Sequence, residues 1–396
     1  MKEFRFFQRD LRWRELSRWG TLGLMDDKAG LDPGSTLHVR KNVSLAPLTT
    51  LELGGPASSF TSVDSVDMAK EAIRWAHLSS QPVAVLGGGS NVVISDSGFA
   101  GLAIRAEIRG ISIEGDEGVA RVTAAAGETW DEIVKMTVAE NLVGLECLSG
   151  IPGWVGATPI QNVGAYGQDI STVIDSVNVL DLESLEERTL EREACGFGYR
   201  SSIFRRFPGR FLVVSVTFFL EKGGRPKVKY RELRQALGPG KAVPSLQEIR
   251  RTVLELRRSK SMVLEDQDAN RRSVGSFFVN PVIDDVKLAA LNEHSRRTGA
   301  LAPTESVPTF PGGESEFKVP AAWLIEKAGF SKGLRRGGVG ISSKHALALV
   351  HFGEGTSEEL VALAREIRNG VDRKFAIKLE PEPVFLGFPS TSPLED

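Results

Sequence analysis

The apolar positions along this chain change period several times, and each change predicts an element. Met68, Ala72, Trp75 and Ala76 recur at helical spacing within Val66–Leu78, which predicts a helix. Pro82–Leu86, Val92–Ile94, Leu102–Arg105, Ile111–Glu114 and Val119–Ala125 read as short strands parted by turn residues. Thr129–Val138 is expected to be a helix capped by Thr129, with Asp131 and Glu132 in its first turn. Val177–Leu180 and Phe211–Leu220 are expected strands, the second apolar enough for burial on both faces.

Helices dominate the second half. Ser245 and Glu248 form a capping box ahead of Leu246, Ile249, Val253 and Leu256 on one helical face. Further helices are expected at Val286–Arg296, at Pro320–Gly329 and over Thr356–Asn369, the last ended by Gly370. Residues 299–319 read as a long Pro/Gly-rich loop. Ser342–Val350 runs into a strand, and Phe375–Glu380 alternates, with Phe375, Ile377 and Leu379 inward and Glu380 outward beside Lys378. The mixture is α+β.

One stretch escapes every period. Ser149–Ile170 holds five glycines and two prolines, which forbid a long helix or strand. Yet Ile151, Trp154, Val155, Ile160, Val163 and Tyr166 lie between them and are costly to leave in water. Such a segment lets backbone approach a ligand closely, and Thr158, Gln161 and Asn162 add hydrogen-bonding groups. The alternative is a buried loop that serves architecture alone. A second glycine turn, Gly87-Gly88-Gly89-Ser90-Asn91, follows a strand. It lacks the Gly-Lys-Ser/Thr of a Walker loop. Val92 stands where a dinucleotide fingerprint has its third glycine, and no room remains for the crossover helix before Glu107, so a Rossmann unit is rejected. What is left is a strand–glycine loop–strand whose backbone N–H groups could cradle a pyrophosphate.

Composition narrows the class. With 396 residues, two or three domains are expected. A net charge of -2 gives no basic field for nucleic acid. No apolar run is long enough to span a membrane, and the opening Met-Lys-Glu-Phe-Arg-Phe-Phe has no secretory h-region. Two cysteines without a CxxC pattern, Cys147 and Cys195, suit a reducing cytoplasm. Five scattered histidines show no metal-ligand spacing, and none is expected to bind metal; His345 reads as structural. Against 20 phenylalanines stand three tyrosines, Tyr166, Tyr199 and Tyr230, all beside the segments of interest, which suggests that their hydroxyls are wanted. The arginine-rich start, with a possible helix at Asp10–Trp19, reads as a poorly ordered extension.

Five segments, in order, resemble one family. They are Leu86-Gly-Gly-Gly-Ser-Asn91, Ile151-Pro-Gly through Pro159-Ile-Gln-Asn-Val-Gly-Ala-Tyr-Gly167, Phe197-Gly-Tyr-Arg200 with Ser202-Ile-Phe, Gly275-Ser-Phe-Phe with Asn280-Pro, and Leu379-Glu-Pro-Glu382. Together they resemble the flavoenzyme family UDP-N-acetylenolpyruvoylglucosamine reductase of peptidoglycan synthesis, over roughly residues 44–388. The resemblance implies a two-lobed, non-Rossmann FAD-binding fold of the vanillyl-alcohol-oxidase kind, plus a smaller α+β domain for the UDP-sugar. The implied division is an extension at 1–43, lobes at 44–112 and 113–240, a substrate domain at 241–372, a strand at 373–388 returning to the active site, and a tail at 389–396. It implies noncovalent FAD, NADPH as hydride donor, UDP-N-acetylglucosamine enolpyruvate as substrate, a monomer, and a cytoplasmic setting.

Residue by residue, the resemblance makes Arg200, Ser276 and Glu380 the catalytic trio. Gly87, Gly88, Gly89, Ser90, Asn91, Ala157, Thr158, Pro159, Ile160, Gln161, Asn162 and Gly164 would hold FAD. Tyr199, Tyr230, Lys260, Asn280 and Lys327 would meet substrate, with Lys327 standing where other members carry glutamine and Tyr230 marking the subtype with a substrate-covering loop. Lys260 and Arg257 have a second reading, as cations at a solvated helix end. The chemistry is coherent: hydride addition to an enolpyruvyl ether pushes charge toward its carboxylate, which an arginine stabilises. A glutamic acid kept protonated and a serine proton donor then complete the addition. Two other classes remain open at this point: another flavin oxidase of the same fold, or a nucleotide-sugar binding protein without flavin.

Overall fold

Alternating small and β-branched residues build the first sheet. In this computed structural model, residues 37–115, 118–238, 243–313 and 315–395 are described. Strands β1 (Arg40–Ser44), β2 (Pro56–Val63) and β3 (Val83–Leu86) join β5 (Phe99–Ala106) in the order β1-β2-β5-β3, and helix α1 (Val66–Leu78) links β2 to β3. The parallel β2–β5 and β5–β3 pairs aim the end of β3 at the glycine turn 87–91, which leads into β4 (Val92–Ile94). Arg40–Val43, expected within the extension, are therefore a paired strand; the Asp10–Trp19 helix lies outside the described residues.

The second sheet is antiparallel. It contains β6 (Ile111–Glu114), β7 (Val119–Ala125), β8 (Leu142–Val143), β11 (Ile174–Asp181), β12 (Glu187–Glu191) and β13 (Phe211–Lys222), with β13 between β11 and β7. Between β8 and β11 the small hairpin β9 (Gly164–Ala165) and β10 (Gln168–Asp169) closes the central glycine-rich stretch. Helix α2 (Trp130–Ala139) packs on this sheet. Thr129 occupies its cap position but makes no side-chain cap bond; its backbone instead pairs with Trp154, which draws the glycine-rich stretch onto the helix start. Phe219 on β13 is 43% exposed, so the strand is not buried on both faces along its whole length.

Helices α3 (Ile203–Arg206), α4 (Arg231–Leu237) and α5 (Leu246–Ser259) follow, and both bonds of the Ser245–Glu248 capping box are present. Beyond them lie β14 (Val282–Asp284), α6 (Asp285–Arg297), β15 (Phe310–Gly313), β16 (Glu316–Lys318), α7 (Ala321–Lys327), β17 (Arg335–Arg336), β18 (Val339–Ile341), β19 (Leu349–His351) and α8 (Ser357–Phe375). The expected 299–319 loop thus contains a hairpin, paired to β14. Residues 342–348 form a wide turn, closed by Ser342 N donating to Ala348 O, and only their end is strand.

Helix α8 passes through Gly370, where a stop was expected. The Phe330 ring lies so close that a Cβ at Gly370 would meet it at 2.4 Å, so this glycine serves packing. The helix ends at Ala376, in the left-handed conformation (φ 52), and Phe375 belongs to the helix rather than to a strand. The chain then runs extended through Leu379 and Glu382 into β20 (Val384–Leu386), which pairs parallel with β4. The C-terminal tail docks on α8: Leu394 is buried, and Arg365 and Arg368 donate to the Pro393 and Leu394 carbonyls.

Apolar clusters hold these layers: one for each sheet, one for the C-terminal helices that also takes in Leu51, Leu53 and Val93, and a smaller one of Cys147, Leu233, Ile249 and Val253 under α4 and α5. Trp130 is fully buried in the second, 5.8 Å from Phe218, with its Nε1–H donated to the Leu148 carbonyl. Trp130→Ala leaves a cavity and an unpaired carbonyl, and should lower unfolding free energy by about 3–5 kcal/mol in urea titration.

Candidate functional site

The two glycine turns face each other. Gly89 has φ +64, and a Cβ there would meet the Leu48 carbonyl at 2.0 Å, so no other residue fits. A Cβ at Gly88 would come within 3.0 Å of Gly153 Cα, so the turns approach almost backbone to backbone. Ser90 Oγ donates to Pro152 O at 3.0 Å, and Asn91 Nδ2 donates to Gln161 Oε1 at 2.8 Å. Among the described residues, no protein acceptor meets the N–H groups of Gly88, Gly89 and Ser90. Three successive free donors on a partly open turn make an anion cradle.

The second turn is more internally committed than the residue types suggested. Ala157, Pro159 and Ile160 are bonded or packed within a short helical turn. The Thr158 hydroxyl donates to its own loop at Val155 O, 2.8 Å, and is buried. Asn162 spends its amide on Ser171 and on Gly198 O. The side-chain donors of both are thus engaged within the protein. The backbone of this turn matters as well: Arg200 donates to Asn162 O at 3.3 Å and to Gly164 O at 2.7 Å.

Arg200 itself has φ 51, a left-handed conformation rare for a side chain of this size. That turn swings its guanidinium onto Glu382, with Nε 3.3 Å from Oε1. Glu382 is 8% exposed, and burial pushes its carboxyl up, opposed by the charges of Arg200 and Arg205. Glu380 does not take this place. It is exposed, two residues away on the outside of the same extended run. The run does not follow strand alternation here: Glu380 and Glu382 have the same parity, yet the first is exposed and the second buried, where Asn91 and Arg205 bond the Pro381 and Glu382 carbonyls.

Ser276 arrives from another strand-like run. Phe278 pairs with Pro381, Glu382 N donates to Phe277 O at 2.8 Å, and Val279 N donates to Glu380 O at 2.9 Å. Ser276 is therefore next to the cross-strand partner of Glu382. Its hydroxyl is partly exposed and makes no protein hydrogen bond among the described residues. So Arg200 meets the second glutamate of the motif rather than the first, and Ser276 lies on the run whose backbone pairs beside that glutamate.

The expected substrate residues fall into two places. Tyr199 lies beside Arg200, with Lys318 Nζ 4.1 Å over its ring; burial pushes its phenol up, opposed by the Arg200 charge and by hydrogen bonding to Asn280. Asn280 Oδ1 accepts from Ala321 N at 2.8 Å, so part of its amide caps α7. Tyr230 meets Tyr166 edge-on at 5.5 Å and stacks on Phe310 of the β15–β16 hairpin at 5.9 Å, which closes one side of the cleft. Lys260 is no solvated helix end: Nζ lies 2.7 Å from Glu232 and over the Tyr166 ring. Burial draws Arg257 down to about 10 and, helped by the charges of Lys260 and Lys332, holds His345 neutral at about 4. Lys327 sits on α7, where Lys374 donates to its carbonyl; its ammonium has no charged partner among the described residues. Among the described residues, no cluster of His, Cys, Asp and Glu could hold a metal, and no helix is long and apolar enough to cross a membrane.

Sequence reasoning passed over Glu382 and Arg205. Both stand inside or beside quoted motifs, so the signal for each was present.

Comparison with known proteins shows what the chain is similar to. Residues 57–184 match the family model of an FAD binding domain, and residues 267–386 match that of the UDP-N-acetylenolpyruvoylglucosamine reductase C-terminal domain. The chain is 48% identical over 357 residues to the UDP-N-acetylenolpyruvoylglucosamine reductase of Thermobifida fusca, covering 89% of this chain and 99% of that one. It is 45% identical over 362 residues to that of Streptomyces avermitilis, covering 90% and 98%. The crystal structure of the Thermus caldophilus reductase superposes with a TM-score of 0.60 at 24% identity, over 88% of this chain and 99% of that one, which makes the fold the same.

Because its folded-state pKa is raised, Glu382 lends stability that is fully present below the ordinary carboxylate range and lost as pH rises through its own pKa. Glu382→Gln should therefore melt higher than the parent at pH 7–8 by differential scanning calorimetry. The gain should shrink as pH falls toward about 4.

Proposed function

The chain belongs to the UDP-N-acetylenolpyruvoylglucosamine reductase family, and from that premise we propose that its paired glycine turns seat FAD beside an Arg200–Glu382–Ser276 site. It is an FAD-dependent oxidoreductase that reduces UDP-N-acetylglucosamine enolpyruvate to UDP-N-acetylmuramate in peptidoglycan precursor synthesis, with NADPH as hydride donor. The observation that carries the site assignment is the Arg200–Glu382 ion pair held beside the Ser276 strand.

The residues fit the cofactor. The free N–H groups of Gly88, Gly89 and Ser90 suit its pyrophosphate, and Asn91 of the same turn is bonded to Gln161 of the facing turn, which holds the two turns together around it. Bound there, FAD supplies two-electron hydride chemistry. The protein supplies the rest. Arg200 uses three contacts to fix itself, and its remaining N–H groups face the charge that grows on the enolpyruvyl carboxylate. Glu382, kept toward its neutral form by burial, donates a hydrogen bond to the same oxygen in the transition state. The Ser276 hydroxyl, unspent on protein, delivers the proton to the neighbouring carbon.

On the far side of the cleft, Tyr230, Lys260, Arg257 and His345 offer cations and rings to the UDP group, and the Tyr230–Phe310 contact closes over it. Lys327 and Asn280 contribute from α7 and the Ser276 strand. The enzyme works as a cytoplasmic monomer on a soluble nucleotide sugar. An oxidase on the same fold is disfavoured by the C-terminal family match, which covers 267–386.

Ser276→Ala should slow reoxidation by the enolpyruvyl sugar by ~10²–10⁴-fold. In anaerobic stopped flow, NADPH should still bleach its flavin at the parental rate. Equal losses in both half-reactions would make Ser276 a packing residue.

A further inference from the structure

We propose that Arg205 is the positioning residue of the catalytic carboxyl, fixing the Glu382 backbone and setting the field in which its side chain titrates. The inference rests on the role given to Glu382 above and extends it to a group that touches no substrate.

Arg205 stands on α3, a single turn of four residues that is too short to persist by helix propensity. Tertiary bonds hold it. Ser202 is fully buried, accepts from Arg205 N at 3.3 Å and donates to Ile160 O at 2.5 Å. The turn is thereby bolted to the flavin-side loop. From it the Arg205 guanidinium donates to Glu382 O at 3.0 Å, to Pro381 O at 3.1 Å and to Gln161 Oε1 at 3.4 Å. Asn91 Nδ2 completes a ring by donating to Gln161 Oε1 and to Glu382 O. One fork thus ties both glycine turns to the residue that bears the acid.

Its partners are all neutral oxygens. Burial draws the Arg205 pKa down, and no carboxylate forms an ion pair with it among the described residues. A buried guanidinium bonded only to carbonyls is costly unless its charge acts on something. The charged and titratable groups that face the Glu382 carboxyl are Arg200, Arg205 and the Tyr199 phenol. Arg200 is placed to meet substrate, which leaves Arg205 as the permanent cation. Its charge opposes desolvation and lowers the carboxyl pKa; its fork keeps residues 381 and 382 from sliding along Phe277.

The test compares Arg205→Met, Arg205→Lys and Glu382→Gln. Each is purified with FAD, then followed as reoxidation by the enolpyruvyl sugar against pH, and as an infrared difference titration of the carboxyl C=O stretch in the oxidised FAD-bound protein. Glu382→Gln should remove one limb of the pH profile and the infrared signal, which assigns both. Arg205→Met should move that limb and the infrared midpoint to higher pH and slow reoxidation about 10–100-fold, a loss typical of an outer partner. NADPH reduction of the flavin should be unchanged. Arg205→Lys keeps the charge but not the two-carbonyl fork, so the midpoint should stay while reoxidation falls. If Glu382→Gln leaves reoxidation and its profile intact, the role of Glu382 fails and the inference with it. If Glu382→Gln behaves as stated but neither Arg205 variant moves midpoint or rate, or both half-reactions fall in parallel, the inference alone is overturned. Should Arg205→Met not fold, the Arg205→Lys rate decides.

Discussion

The site depends on a six-residue extended run, 379–384, being clamped from three sides. Its Glu380 carbonyl and Glu382 N–H pair with the Ser276 strand, its Pro381 and Glu382 carbonyls take Arg205 and Asn91, and Val384 N–H reaches Asn91 O. Nothing in this run is a regular element until β20, so its geometry is borrowed from partners distant in sequence. The constraint explains why the fold brings back its last strand. Parallel pairing of β20 with β4 is what sets Glu382 beside the glycine turn. An uncompensated carboxylate there would be expelled; Arg200 and Arg205 make burial tolerable, and burial makes the carboxyl useful.

The glycine turns obey a related logic. They are not flexible linkers, since their neighbours leave no room for a Cβ at Gly89 and would crowd one at Gly88. Their freedom from side chains lets two backbones come close while three N–H groups stay unpaired. The tyrosine pair and the hairpin carrying Phe310 stand beside two cations, Arg257 and Lys260, and the neutral His345. An anionic cofactor and an anionic substrate can therefore be held from opposite ends, with the reacting carbon between them.

Much of this was legible in the residues, and the misses have identifiable causes. Regular elements with a clean period, such as α1, α5 and β7, were readable from pattern alone. Motif resemblance put the acid on Glu380, although alternation already turned that residue outward, and it is exposed. Choosing between the two glutamates of the motif depends on Arg200 and Arg205, which reach Glu382 from elsewhere in the chain. Gly370 misled in the same way: it reads as a stop, but the reason for it is the Phe330 ring, a contact invisible in one dimension. Thr158 and Asn162 carry atoms that suit a ligand, and the buried loop engages their donors on carbonyls of its own surroundings, a contact the residue types alone do not reveal. The hairpin within 299–319 hid behind its prolines and glycines.

The central claim is that the second glutamate of the Glu-Pro-Glu segment, not the first, is the working acid. The most direct measurement is single-turnover reoxidation by the enolpyruvyl sugar in Glu380→Gln and Glu382→Gln, side by side. The account predicts a parental rate for Glu380→Gln and a loss of at least ~10²-fold for Glu382→Gln. A slow Glu380→Gln with a parental Glu382→Gln would contradict it.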